Sequence, residues 1–265
     1  MEAVTQMDKY ISYLYDGSFY GLLTVIYESY YSHSVPTDIS IDTKVVNPQQ
    51  SFLNDCKLIT TDYEKAERVY NAIQTKIGQE SLEQVYHALL SDVKGKELVI
   101  YNYVKLGFKI GKTIDSHLYT EEVSSLRKIV NKVNKEVHLM TGFIRFTYIN
   151  NFYYSIYEPD HNISELIAPF FADRFADQYF IIHDIKRNVA VIYDTKEWVI
   201  TSFYKSDLEN LKGYNKNLVS GNDICYEKLW KEYFVNVAIK ERKNDRQQTL
   251  LMPKRYRKNM LETKE

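Results

Sequence analysis

Apolar residues recur at helical spacing from Phe19 through Leu22, Leu23, Ile26, Tyr27 and Tyr30, with Ser18 or Asp16 available to cap the first turn. Ahead of them, residues 9–15 (KYISYLY) alternate weakly, as an edge strand would, and stop at Asp16-Gly17. Residues 32–54 hold Pro36 and Pro48 among Ser, Thr and Asn and read as a long loop with at most a short strand. Helix signals then come in series. Thr61-x-x-Glu64 is a capping box opening a helix that ends near Gly78, and Ser81-x-x-Gln84 opens another that runs to about Asp92. A third helix is expected over 97–108. A longer one follows Thr120, with Val123, Leu126, Val130, Val133 and Val137 on one face, and stops at Gly142.

Beyond Gly142 the period changes to two. Residues 143–149 and 152–157, joined by Asn150-Asn151, predict a β-hairpin. A short helix follows Asn162, and strands are expected over 179–184, 189–194 and 198–203. Ser206-x-x-Glu209 caps a short helix, and the apolar positions from Tyr226 to Ala238 mark a strongly amphipathic last one. The pattern predicts one α+β domain over residues 1–265. Its first part, 1–141, is mostly helical; its second, 142–265, holds a mainly antiparallel sheet packed by helices, the amphipathic helix and a basic tail.

Composition narrows the class. Hydrophobic residues at 45% and charged residues at 26% are those of a folded chain, and a formal net charge of −1 speaks against coating nucleic acid by bulk electrostatics. The 24 tyrosines suit half-wet packing or stacking surfaces, or ordinary core in a Tyr-rich sequence. Cys56 and Cys225 lie too far apart for a zinc motif, a redox pair or an iron–sulfur site, so no metal or cofactor is expected and a reducing cytoplasm is the natural compartment. No secretory leader and no apolar run long enough to span a bilayer is apparent.

The densest polar cluster is Glu158-Pro159-Asp160-His161-Asn162, where a strand ends and a helix begins. A carboxylate beside an imidazole suits acid–base work at Asp160 and His161, whereas Asn162-x-x-Glu165 or Asp160 suits helix capping. His183 and Asp184 end the next strand, and Arg187 and Asp194 bracket the hairpin after it. Convergence with Asp160 and His161 is one reading, but neighbours on a strand face opposite ways, so salt bridges between paired turn residues are expected. Arg145 shares a strand face with Phe143, there to bind phosphate or carboxylate, or to lie in solvent. The stretch 240–258 holds eight Lys and Arg against Glu241 and Asp245, with Tyr256 free to stack on a base, or else is a solvated tail. Gly107-Phe-Lys-Ile-Gly111-Lys112-Thr113 is one residue short of a phosphate-binding loop and follows a helical segment, which excludes that reading.

Several strings, taken in order, carry a resemblance. They are Tyr15-Asp-Gly-Ser-Phe19, Gly142-Phe-Ile-Arg-Phe146, Glu158-Pro-Asp-His-Asn162, Ala168-Pro169, Phe171-Ala-Asp-Arg-Phe175, Ile182-His-Asp184, Tyr193-Asp194, Glu241-Arg242-x-Asn244 and Met252-Pro-Lys-Arg-Tyr256. Together, from about Tyr13 to Tyr256, they resemble the uncharacterised family called "probable DNA metabolism protein". Its members accompany a DNA repair or modification radical SAM protein, and a similar segment is fused to some uracil-DNA-glycosylase-like proteins. The resemblance implies a role in DNA metabolism beside such a partner and brings no established activity.

The family's polar positions fall here on Asp16, Ser18, Arg145, Glu158, Asp160, His161, Asn162, Arg174, Asp184, Arg242, Asn244 and Arg255. Phe170 stands where the family has His, which weakens any mechanism needing a His pair; Leu139 and Thr141 replace basic residues, which weakens a nucleic-acid surface on that helix end; and Arg257 replaces Trp. Three functions follow as expectations. One is a DNA-binding accessory partner of the radical SAM enzyme, with Arg145, Arg174, Arg242, Asn244, Lys254, Arg255 and Tyr256 as contacts. Another is an enzyme on nucleic acid or nucleotides using Asp160 and His161. The last is a protein–protein scaffold.

Overall fold

A computed structural model describes residues 9–41, 56–149, 151–208, 245–258 and 260. The expected helix over 226–238, together with Cys225, Arg242 and Asn244, lies outside the described residues. Two compact units divide between Val133 and Asn134, eight residues ahead of the break that the sequence pattern places after Thr141.

In the first unit β1 (Lys9–Tyr15) lies between β2 (Ser34–Ile41) and β3 (Cys56–Leu58), both parallel to it. The expected edge strand is thus an inner one. Its alternation is weak because Ile11, Tyr13 and Tyr15 are buried while Ser12 and Leu14 on the other face are also half-covered. β2 is the strand allowed within the stretch read mainly as loop, longer than expected, and it tolerates Pro36 because it lies at the sheet edge. Between β1 and β2 runs α1 (Phe19–Tyr31), capped by Ser18, whose Oγ accepts from the Gly21 N–H at 2.9 Å.

Next, α2 (Tyr63–Ala72) is capped by Asp62, one residue after the expected Thr61, and runs through a π-turn at Ile73–Ile77 to Gly78. Glycines 78, 95 and 111, all at positive φ, then punctuate α3 (Gln79–Leu89) and α4 (Lys96–Ile110). Gly107 lies inside α4, not in a phosphate loop, and a side chain there would meet Ile77.

The long helix α5 (Glu121–Phe143) crosses the unit boundary. The second unit contains β4 (Thr147–Ile149), β5 (Phe152–Tyr157), β6 (Phe180–Asp184), β7 (Val189–Tyr193) and β8 (Trp198–Ser202), in that spatial order. All neighbours are antiparallel except β5 and β6, which are parallel and joined across α6 (Ser164–Arg174). Asn151, read as a turn residue, takes a positive φ, as does Asn188 in the β6–β7 turn. Phe171 and Phe175 beside α6 meet Phe146 and Phe180 edge-on over one sheet face. Tyr154, Ile181, Ala190 and Phe203 form a core on the other. Two short helices close the described chain, α7 (Asp245–Leu251) and α8 (Lys254–Arg257). The fold is α+β, with a mixed five-stranded sheet.

Candidate functional site

The parallel pair β5 and β6 ends at Tyr157 and Asp184, and the 158–161 loop leaves the sheet there. Open α/β sheets place ligands beyond the carboxyl ends of parallel strands. This loop is held from three directions within the second unit. From α5, the Glu136 carboxylate, only 4% exposed, accepts from the Asp160 N–H at 2.7 Å and the His161 N–H at 2.8 Å. From the β6–β7 turn, the fully buried Asp184 carboxylate accepts from the Lys186 and Arg187 N–H groups and pairs with the Arg187 guanidinium at 2.9 Å. That guanidinium reaches the Pro159 carbonyl at 3.2 Å and the Asp160 carbonyl at 2.6 Å, and Lys186 Nζ adds a third bond at 3.0 Å.

The third tie comes from α8. Tyr256 is 6% exposed, and its hydroxyl lies against Glu136 Oε1 and, at 3.2 Å, Asp160 Oδ2. Burial, then the hydrogen bond to Glu136, pushes its phenol well above the usual range. The Arg255 guanidinium pairs with Asp160 Oδ2 at 2.6 Å, donates to the Tyr256 hydroxyl at 3.0 Å and lies 4.6 Å above its ring. Partial burial opposes its charge, but Tyr256, Asp160 and Glu136 together raise its pKa. Lys258 pairs with Glu158. Beside this network a cleft lined by Met140, Phe143, Ile156, Tyr157, Glu158 and Tyr256 encloses about 10 Å³, space for one water.

Several expectations are revised. Neither Asn162 nor Asp160 caps α6: its N-cap is Ile163, without a side-chain bond, and Asp160 turns to Arg255 and Tyr256. Ser164, in the first turn, bonds the Tyr157 hydroxyl at 2.7 Å instead. Arg145 is on no strand, because α5 continues past Gly142; its Nη1 donates to the Gly142 carbonyl at 2.6 Å and closes the helix end. Tyr256, expected to be available for stacking, is buried. Arg174 is exposed in the last turn of α6, and Lys254 is exposed as well.

Other candidates lie elsewhere. His183 points to the sheet face opposite Asp184, where Tyr154 meets its Nδ1 at 2.9 Å and Phe203 packs on the ring. Burial lowers its pKa, with partial compensation from the Phe203 backbone and Asp184. Asp16 and Ser18 belong to the first unit. The Asp16 carboxylate accepts from the Ser18 N–H and hydroxyl and from Thr61 at 2.7 Å, which outweighs burial and lowers its pKa.

Glu136 was not anticipated, although its signal was present. It stands three residues after Val133 and four before Met140, so it falls on the apolar stripe of α5 where a carboxylate requires partners. Arg187 forms the salt bridge expected of paired turn residues after β6, whereas Lys258 was visible only as a member of a charged string. Among the described residues no three His, Cys, Asp or Glu side chains converge as metal ligands, and no helix is long and apolar enough to cross a membrane.

No curated protein matches the chain. A family described as a domain of unknown function, DUF4130, matches residues 94–262. That span is well over half of the chain and contains every residue of the network around Glu136, so the protein belongs to the DUF4130 family.

Proposed function

We propose that this protein is a nucleic-acid-binding accessory factor in DNA metabolism, working beside a radical SAM enzyme. Its second unit would meet the phosphate backbone through Lys186, Lys254, Arg255 and Lys258 around the 158–161 loop. One observation carries the reading: the Asp160–Arg255 pair is half-exposed, at 45% and 58%, yet stands on a buried base formed by Glu136. An exposed ion pair contributes about 0–1 kcal/mol, so exchanging the Asp160 carboxylate for a phosphate costs little. Arg255 offers a planar fork for that phosphate, already oriented by the Tyr256 ring. The radical SAM partner enters from the sequence resemblance and would supply the iron–sulfur chemistry, for which two cysteines do not suffice.

An acid–base role for Asp160 and His161 is less well supported. The Asp160 carboxylate is engaged by Arg255 and Tyr256, so acid–base work would first need that pair to open. Fluorescence anisotropy with labelled single- and double-stranded oligonucleotides tests the proposal. Binding should weaken steeply between low and moderate salt, and the triple variant Lys254→Ala, Arg255→Ala, Lys258→Ala should lose about tenfold in affinity and part of the salt slope. Salt-insensitive binding, or a triple variant indistinguishable from wild type, would remove the proposal. Co-purification with a co-expressed radical SAM protein tests the partnership separately.

A further inference from the structure

Two ion pairs lie in register where α8 meets the 158–161 loop of the second unit. Asp160 Oδ2 pairs with the Arg255 guanidinium at 2.6 Å, and Glu158 pairs with Lys258. The carboxylates stand two positions apart on the loop and the cations three apart on the helix, where Lys258 keeps helical backbone as the C-cap. Side chains three apart on a helix are neighbours, with Cβ atoms about 5–6 Å from one another. The contact is therefore a doubled one, two like charges side by side with each facing its partner.

The roots of these side chains are fixed, whereas their charged ends are not. On the loop, the buried Glu136 carboxylate holds the Asp160 and His161 N–H groups, and the Arg187 guanidinium holds the Pro159 and Asp160 carbonyls. On α8, the buried Tyr256 anchors the helix, and its ring orients Arg255. At the tips, both cationic side chains are more than half exposed and neither carboxylate is buried. An exchange of partners needs only side-chain rotation. Tyr256 stays in place, α8 stays docked, and the freed carboxylates turn to water.

We infer that Glu158 and Asp160 stand in for two successive phosphates of a nucleic-acid strand, so that the site admits a phosphodiester run and rejects a lone phosphate. A strand carries its charges at close, regular intervals and replaces both carboxylates together, the second exchange following the first at high effective concentration. A single phosphate replaces one carboxylate at most, while the other pair stays closed. Arg255 takes one phosphate through its planar fork, and Lys258 takes the next as a point charge. The carboxylates set a threshold, because they compete with every anion and yield only to a ligand that engages both cations. The inference rests on the nucleic-acid reading above. It adds the ligand class, an internal stretch of strand and not a nucleotide, and the two residues that restrain its binding.

Fluorescence anisotropy on the full chain, with a labelled single-stranded oligonucleotide, tests the restraint. Asp160→Asn and Glu158→Gln should each tighten binding about threefold, and together about tenfold. Asp177→Asn, the same charge change separated from the loop by the length of β6, should leave binding within about twofold. In an Arg255→Ala background Asp160→Asn should bring no gain, because its partner is already gone. Titration calorimetry on the wild type tests the ligand class: tripolyphosphate should bind about tenfold more tightly than orthophosphate at matched ionic strength. A double variant that binds oligonucleotide no more tightly, an equal gain from Asp177→Asn, a gain that survives Arg255→Ala, or orthophosphate binding as tight as that of tripolyphosphate would each overturn the inference. The calorimetry needs no substitution and decides the matter if the variants do not fold. Salt-sensitive oligonucleotide binding with no gain in the double variant sinks the restraint alone. Tripolyphosphate binding that tightens in the double variant, without oligonucleotide binding by any form, sinks only the broader reading, and binding of neither probe removes both.

Discussion

Glu136 accepts two consecutive backbone N–H groups and a phenol, which is why a carboxylate persists at 4% exposure. Truncating it leaves two backbone donors without an acceptor and the phenol with Asp160 alone, so Glu136→Ala should destabilise the second unit by about 3 kcal/mol, measured by denaturant unfolding. Glu97 in the first unit is the opposite case. It is 6% exposed, and burial, only partly offset by its own backbone and Lys96, raises its pKa above the ordinary 4.5. The folded first unit therefore favours the protonated form. Stability is complete below about pH 4.5 and falls as pH rises through the folded-state value. Glu97→Gln should raise the melting temperature at pH 8, and the difference should vanish toward pH 4. A gain that is the same at both pH values would show that ionisation is not the cause.

At the scale of elements, α1 depends on one hydroxyl. Ser18 caps its first turn and is itself held by Asp16, and any side chain at Gly21 would run into both. Ser18→Ala should cost about 1 kcal/mol in thermal unfolding, with Asp16→Asn costing less. The elements most legible in the sequence were β5 to β8 and the helices, because alternation, apolar stripes and turn asparagines are local signals. β2 was hidden by Pro36, which an edge strand accommodates, and β1 looked marginal because it is covered on both faces. Arg145 was misplaced for a local reason. Gly142 does not end α5, since it lacks the positive φ of Gly78 and Gly111, which end the helical segments ahead of them, so the strand parity applied to 143–149 begins four residues too early. The site was half legible. The polar cluster at 158–161 was visible in the sequence, but what binds it was not. Glu136 and Tyr256 approach each other from positions that no periodicity connects, and a charged string does not reveal which of its members find partners at home.

At the scale of the whole molecule, the two units answer to pH in opposite directions. His183 is buried in the second unit with its pKa below the ordinary 6.5, chiefly through burial, so that unit favours the neutral imidazole. Its stability is complete above about pH 6.5 and falls as pH drops through the folded-state value. Calorimetry should show acid weakening the second unit between pH 7 and 5, and His183→Gln should flatten that slope; an unchanged slope would assign the weakening to other groups. The bond between Glu136 and Tyr256 also bears on how the second unit is made. It closes a loop of 120 positions. A chain emerging from the ribosome folds N-terminal regions first, and long closures are slow because their entropy must be met before any contact rewards it. The carboxylate must then wait, temporarily underserved, while more than a hundred further residues are synthesised, and a nascent second unit stalled before Tyr256 should be markedly more sensitive to protease than the finished one.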